Sequence, residues 1–227
     1  MLQGDIIGVL VVYGYVALLL GVTEKVLVKH PETSRKLLHI MVGNIAFLLP
    51  IFVTREIMAL VAAGPFIVLT FLISPYTPFK SIRGKTSSAG HSMGLVYYAI
   101  TWTVLAYLFF DHMIVIAIGI FAMSYGDGLA SLVGVKYGKH KYNIAGDEKS
   151  FIGTIAMFVS TFGTMLVAIL YYNLVQGTGF GFTPVSIGFL ALFAAAGAIV
   201  EGFTPKGLDN LTVPFVIAAM YWMVFII

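Results

Sequence analysis

No cysteine occurs among the 227 residues, so disulfides and thiolate metal sites are excluded. Charge is also scarce. Asp, Glu, Lys and Arg make up 10% of the chain, whereas a soluble domain carries about 25%. So few charges cannot cover a water-facing surface. With 59% hydrophobic residues and a mean hydropathy of +0.98, the chain reads as a polytopic membrane protein. Nucleic acid is a poor partner, because no soluble basic surface exists. Internal repeats and low-complexity tracts are missing, and the length suits one bundle rather than two large domains. The first apolar stretch lacks a basic n-region and a small-residue cleavage site, so no cleavable signal peptide is expected. Several soluble-enzyme motifs are missing too. Arg83-Gly84-Lys85-Thr86 looks like the end of a P-loop, but the required first glycine is replaced by Phe79. The five histidines show no zinc-ligand spacing, and no Gly-x-Ser-x-Gly elbow occurs.

What is present is a series of apolar stretches near the roughly 20 residues that a membrane span needs. Eight are read: Ile6–Val22, Leu37–Val53, Ile57–Ile73, Leu95–Phe110, His112–Val135, Phe151–Val175, Val185–Glu201 and Leu211–Ile227. They are too long and continuous for barrel strands, which alternate. In lipid the remaining way to satisfy every backbone group is the helix. The expected fold is therefore all-α, a transmembrane bundle forming one domain over residues 1–227. Twelve of the thirteen Lys and Arg residues fall in alternate gaps, and only Arg55 falls in the others. Positive residues stay on the cytoplasmic side, so both termini are expected outside. The modest net charge of +3, concentrated in cytoplasmic loops, suits anionic headgroups or a phosphorylated ligand.

Asp127 sits inside the fifth span, and an ionisable group within a span is costly and by default functional. It lies fifteen residues after His112, about 22 Å along a helix, which puts it in the cytoplasmic third. Gly126, Ala130, Gly134 and Gly138 recur every fourth residue, a stripe that admits a close helix or a ligand. A packing stripe with a hydrogen-bonded Asp is the plainer reading. The following loop carries Lys136, Lys139, His140 and Lys141, then Lys149 and Ser150. Ser150 is a natural N-cap, with Gly153 and Thr154 in the first helical turn. A helix N-terminus beside lysines makes a phosphate site, although an ordinary basic collar has the same composition. Glu201 ends the seventh span, and Asp209 and Asn210 open the eighth; either of the latter is also a plausible N-cap. Asp127, Glu201 and Asp209 approach one face, where carboxylates and phosphate oxygens together hold Mg²⁺. Arg35 and His39 share a helical face at i, i+4. Lys36 has the stem to snorkel to headgroups, and Asn44 suits a helix–helix hydrogen bond.

These elements resemble the CTP-dependent polyprenol kinase family, which includes dolichol kinase and phytol kinase. The resemblance rests on Arg35-Lys36-x-x-His39, on Gly126-Asp127-x-x-Ala130-x-x-x-Gly134-x-x-x-Gly138, and on Lys139-His140-Lys141. It continues through Lys149-Ser150-x-x-Gly153-Thr154 and Glu201 to Asp209-Asn210-Leu211. A segment at Gly90–Tyr98 is loosely similar as well. The short length is closer to phytol-kinase-like members than to the larger dolichol kinases. The resemblance implies transfer of the CTP γ-phosphoryl group to an isoprenoid alcohol at the cytoplasmic face of a cell membrane or ER-type membrane. It implies Mg²⁺ at Asp127 and Asp209. It places the phosphates among Gly134, Lys136, Gly138, Lys139, His140, Lys141, Lys149, the N-terminus at Ser150, Gly153, Thr154 and Asn210. Asp127 or Glu201 would orient the alcohol, with Arg35 and His39 steadying the transferred group. A CTP:lipid-phosphate cytidylyltransferase and a CTP-dependent diacylglycerol kinase stay open. So does a transporter using Asp127 as a relay, although no internal repeat supports it.

Overall fold

The computed structural model describes residues 2–25, 31–78, 93–144, 147–205 and 207–227. Lys29, Lys80, Arg83, Lys85, Lys206 and residues 90–92 of the Gly-rich segment lie outside the described residues. Helix α1 spans Gln3–Lys25, and α2 spans Pro31–Val42 and runs into a 3-10 segment at Gly43–Ile51. A π-helical stretch, Ile57–Ala63, leads into α3 at Pro65–Leu72, and α4 covers Gly94–Leu108. Next come α5 (Met113–Phe121), a π-helical turn at Ala122–Asp127 and α6 (Gly128–Tyr137). Strands β1 (Lys141–Ile144) and β2 (Asp147–Ser150) precede α7 (Phe151–Gln176), α8 (Pro184–Phe203) and α9 (Asp209–Phe225).

Among the described residues, four helices are long and apolar enough to cross a membrane: Gln3–Thr23, Phe110–Tyr137, Phe151–Gln176 and Pro184–Phe203. Ile57–Leu72, Gly94–Leu108 and Asp209–Phe225 are apolar but shorter. Every residue of α5 is buried, so the segment leading to Asp127 forms the centre of the bundle. The expected second and third spans are not uniform α-helices. Each carries a proline, Pro50 inside the 3-10 segment and Pro65 at the start of α3, which removes a backbone donor and frees a carbonyl one turn back.

Neighbouring hydroxyls satisfy those carbonyls. Pro50 lies inside the 3-10 segment, and Tyr171 and Tyr172 of α7 donate to the carbonyls of Phe47 and Ala46 at 2.5 and 2.6 Å. Pro65 lacks the donor that Val61 would use, and the Tyr13 hydroxyl of α1 bonds the Val61 carbonyl at 2.9 Å. Pro214 likewise frees the Asn210 carbonyl, which accepts from Thr101 of α4 at 2.7 Å. Hydrocarbon offers no hydrogen bonds, so in a membrane each hydroxyl would supply what water supplies elsewhere. Thr101→Val keeps the shape and removes the donor. It should cost about 1–3 kcal/mol, read as a lower thermal unfolding midpoint in detergent.

At the far end from Asp127, buried Asp5 accepts from the Val53 and Thr54 amides at 3.0 Å each and from the Thr54 hydroxyl at 2.7 Å. Arg55 forms an ion pair with Asp111 at that end. Asn44 bridges helices as expected, donating to Tyr15 of α1 at 3.2 Å and accepting from Tyr125.

The all-α expectation needs one correction. The basic loop folds into an antiparallel hairpin that pairs Lys141 with Ser150 and Tyr142 with Lys149. Tyr142 and Ile144 are partly covered while Lys141 and Asn143 are exposed, the period-two pattern of a half-buried strand. Four residues per strand is a short signal beside spans of twenty. The hairpin matters because it fixes the face on which Lys149 projects.

Candidate active site

A polar cavity of about 480 Å³ opens where α2, α6, the hairpin and the facing ends of α7, α8 and α9 meet. Close packing of small residues brings these elements together. A Cβ on Gly126 would lie 2.4 Å from the Thr161 hydroxyl, and one on Gly138 2.6 Å from Ser150 Cβ. Only a glycine allows α7 to approach so closely at either position. The stripe is thus mainly a packing device, although Gly134 also lines the cavity. Ser150 caps α7 as expected, its Oγ accepting from the Gly153 amide at 3.2 Å.

Three carboxylates meet in the cavity. Asp127, Glu201 and Asp209 each offer an oxygen, all within 4.8 Å of one another. Asp127 is supplied by the π-helical turn that ends α5, Glu201 by the last turn of α8 and Asp209 by the first residue of α9. Asp209 is not the cap of α9; Leu208 holds that position without a side-chain bond. Its Oδ1 accepts from the Asn210 amide at 3.0 Å, and its Oδ2 faces Lys149, 3.8 Å away.

Two lysines counter this charge. Lys149 Nζ lies 2.5 Å from Glu201 Oε1 and also donates to the Glu201 carbonyl. Burial works against the Lys149 charge, but Glu201, Asp209 and Asp127 outweigh it and hold the ammonium above the ordinary lysine range. Lys36 Nζ lies 3.9 Å from Asp127 Oδ2, and His39 Nε2 lies 3.6 Å from the same oxygen. His39 Nε2 also bonds the Met123 carbonyl at 3.1 Å, within the π-helical turn. Such turns re-aim backbone groups and recur at functional sites. The Tyr98 ring packs on the imidazole at 4.6 Å between centroids.

Two polar atoms at the cavity have no hydrogen-bond partner among the described residues: Arg35 Nε and Asn210 Oδ1. Asn210 is buried, and its amide nitrogen donates to the Gly94 carbonyl at 3.1 Å, which orients the oxygen. An orphaned guanidinium nitrogen suits an anion, and an orphaned amide oxygen suits a cation or a donor.

Comparison with known proteins identifies the family. The chain is 34% identical to a phytol kinase of Synechocystis sp. over 214 residues, which covers 92% of this chain and 86% of that protein. The chain belongs to the phytol kinase family. Membership makes it an enzyme, a kinase rather than a transporter. Two plant relatives are more distant. A protein named probable phytol kinase, chloroplastic, from Triticum aestivum is 27% identical over 90% of this chain and 71% of its own length. Probable phytol kinase 1, chloroplastic, from Oryza sativa subsp. japonica is 29% identical over 64% of this chain and 46% of its own length. Neither a family model nor a solved structure matches the chain.

For this phytol kinase relative, the sequence reading and the cavity largely coincide. Arg35, Asp127, Gly134, Lys141, Lys149, Ser150, Gly153, Thr154, Glu201, Asp209 and Asn210 all line it. His39 lies just behind, against Asp127. Lys136, Gly138, Lys139 and His140 are not among its lining residues. Lys136 instead rests over the Tyr137 ring, and Lys139 and His140 are exposed where α6 meets the hairpin. Lys141 sits at the rim with its charge met by Glu148 at 2.7 Å. Lys36, whose stem alone suits snorkelling, lines the cavity beside Asp127, although the sequence alone assigns it no site role; its place in the Arg35-Lys36-x-x-His39 element is the available signal.

Proposed function

We propose that this chain transfers the γ-phosphoryl group of CTP to the hydroxyl of a membrane isoprenoid alcohol such as phytol, geranylgeraniol or a polyprenol. The observation that carries this reading is the cavity, where three carboxylates and the cations Arg35, Lys36 and Lys149 converge in a member of the phytol kinase family. Phosphoryl transfer requires positioning and charge neutralisation more than covalent chemistry. The choice of CTP as donor rests on the family resemblance. We further propose that the eight apolar stretches cross the membrane with both termini outside, so that the cavity faces the cytoplasm. Arg35, Lys36, Lys136, Lys139, Lys141 and Lys149 lie at its end of the bundle, and Arg55 lies at the other, in keeping with the positive-inside rule.

The donor set fits Mg²⁺, a hard cation that takes oxygen ligands. Asp127, Glu201 and Asp209 would hold it, with the orphaned Asn210 Oδ1 as a further oxygen. Bound there, Mg²⁺ would neutralise charge on the nucleotide phosphates. Arg35, Lys36, Lys149 and the α7 N-terminus at Ser150 cradle the phosphates. Asp127, the carboxylate beside His39, orients the alcohol and receives its proton. The alcohol oxygen forms a bond to the γ-phosphorus, the bond from that phosphorus to the β–γ bridging oxygen breaks, and CDP leaves.

The test is incubation of purified protein in detergent with γ-labelled CTP, Mg²⁺ and a panel of lipid alcohols. Label in an isoprenoid alcohol with CDP released, and ATP a poorer donor, is the expected result. Label in diacylglycerol instead would reassign the acceptor. Pyrophosphate formed from CTP and a phosphatidic acid would make the chain a cytidylyltransferase.

A further inference from the structure

A second cavity lies beside the polar one and is of opposite character. It is an apolar cleft of about 210 Å³ between α1, α2 with its 3-10 segment, α3 and α4. Its walls alternate small and large groups, with Ala62, Ala99 and Ala106 among Phe52, Phe66 and Trp102. The Thr70 hydroxyl in the lining bonds back to the Phe66 carbonyl at 2.7 Å, and the Tyr98 hydroxyl bonds Ser124 at 2.8 Å. Both hydroxyls are engaged, and the buried Trp102 Nε1, without a hydrogen-bond partner among the described residues, is a donor in an otherwise largely hydrocarbon lining. Apolar cavities stay dry, and a void of this size forfeits packing contacts along its whole lining, so hydrocarbon is the fitting content.

One end of the cleft is defined by His39, which belongs to its lining. The same imidazole lies 3.6 Å from Asp127 in the polar cavity. His39 therefore forms the partition between a hydrocarbon slot and the carboxylate cluster. Along α4 the lining runs from Leu95 to Ala106, roughly 16 Å at the helical rise. That is about half of the hydrocarbon thickness of a bilayer.

We propose that this cleft binds the isoprenoid tail of the acceptor alcohol, with the hydroxyl at His39 and the chain directed toward Ala106. The proposal rests on the kinase reading above and adds the acceptor's binding site. A bilayer lipid in the slot would leave the junction with Asp127 unexplained. An alcohol with its tail there presents its oxygen at the boundary that the phosphoryl group has to reach. The cleft then acts as a ruler: Ala99 lies near the hydroxyl end, and Ala106 lies seven residues, roughly 10 Å, deeper.

Ala99→Leu and Ala106→Leu test the ruler, assayed with prenyl alcohols from five to twenty carbons. Both should lower kcat/KM for the twenty-carbon alcohol at least tenfold and keep activity on shorter ones. The cut-off should fall at a shorter chain for Ala99→Leu than for Ala106→Leu. Equal losses at every chain length, or none, would overturn the proposal. A second measurement stands apart from catalysis and from whether either variant folds. Wild-type protein is photolabelled with a diazirine-bearing isoprenoid alcohol and its peptides are mapped. Label in α1, α2 with its 3-10 segment, the Ile57–Ala63 stretch, α3 or α4, displaced by unlabelled isoprenol, is expected. Label elsewhere, or displacement equally by a diacyl phospholipid, overturns the assignment. Cleft labelling without phosphoryl transfer to any alcohol would uphold the tail site and refute the kinase reading instead.

Discussion

Asp127→Asn should reduce phosphoryl transfer by about 10³-fold, the largest catalytic effect expected of a single substitution here. The change preserves shape and removes one negative charge. It takes away the proton acceptor beside His39, and it takes away one of three carboxylates whose oxygens lie within 4.8 Å of one another. Stability should fall far less than activity. The neutral amide no longer offsets Lys36 and His39, 3.9 and 3.6 Å away, but relief of the repulsion among three carboxylates and of the desolvation of the charge works the other way. The check pairs turnover of γ-labelled CTP with a thermal unfolding curve on the same preparation. Turnover within a few-fold of wild type at equal protein would remove Asp127 from the mechanism. Loss of activity accompanied by early unfolding would make it a structural residue instead. Asp127→Glu is an instructive companion, because it keeps the charge and adds a methylene in a cavity bounded by Lys36 and His39. It should recover only part of the lost rate.

The carboxylate cluster was legible because membrane spans make a sharp background. A charge within or at the edge of an apolar stretch is expensive, so Asp127, Glu201 and Asp209 stood out without any knowledge of the fold. The N-cap at Ser150 was legible for a local reason, a serine three residues ahead of Gly153 at the start of an apolar run. What escaped was set by tertiary contact. Lys36 reads like any lysine at a membrane boundary; only the approach of α2 to the π-helical turn gives it Asp127 as a partner. The basic residues of the 136–140 segment looked equivalent to Lys149, and strand register decides between them. Pairing of Tyr142 with Lys149 aims that lysine inward, whereas Lys139 and His140 precede the strand and are exposed. The irregular helices were half legible. Pro50 and Pro65 announce trouble for regular helix, but the hydroxyls that resolve it belong to Tyr171, Tyr172 and Tyr13, on helices far away in the chain. The apolar cleft was not legible at all, since its lining residues are indistinguishable in sequence from ordinary core.

Lys149→Met should have the largest effect on stability, and it separates the two tasks that this lysine performs. The side chain is 14% exposed and its Glu201 partner 9%. Removing one member of such a pair leaves the other charged and buried, at a cost of roughly 3–5 kcal/mol. Here the damage spreads, because Lys149 also faces Asp209 and donates to the Glu201 backbone carbonyl. The variant should unfold well below wild type and lose most of its phosphoryl transfer. Combining it with Glu201→Gln neutralises the abandoned carboxylate, so most of the lost unfolding temperature should return. Activity should not, since the phosphate cradle still lacks its cation and the cluster has lost a carboxylate. A double variant that regains turnover along with stability would show that Lys149 serves only to hold α8 against the hairpin. One that regains neither would show that the hydrogen bond to the Glu201 carbonyl, rather than the charge pair, fixes the end of α8. Stability restored and activity absent, beside a Glu201→Gln single variant that keeps part of the turnover, is the outcome that assigns Lys149 to the phosphates.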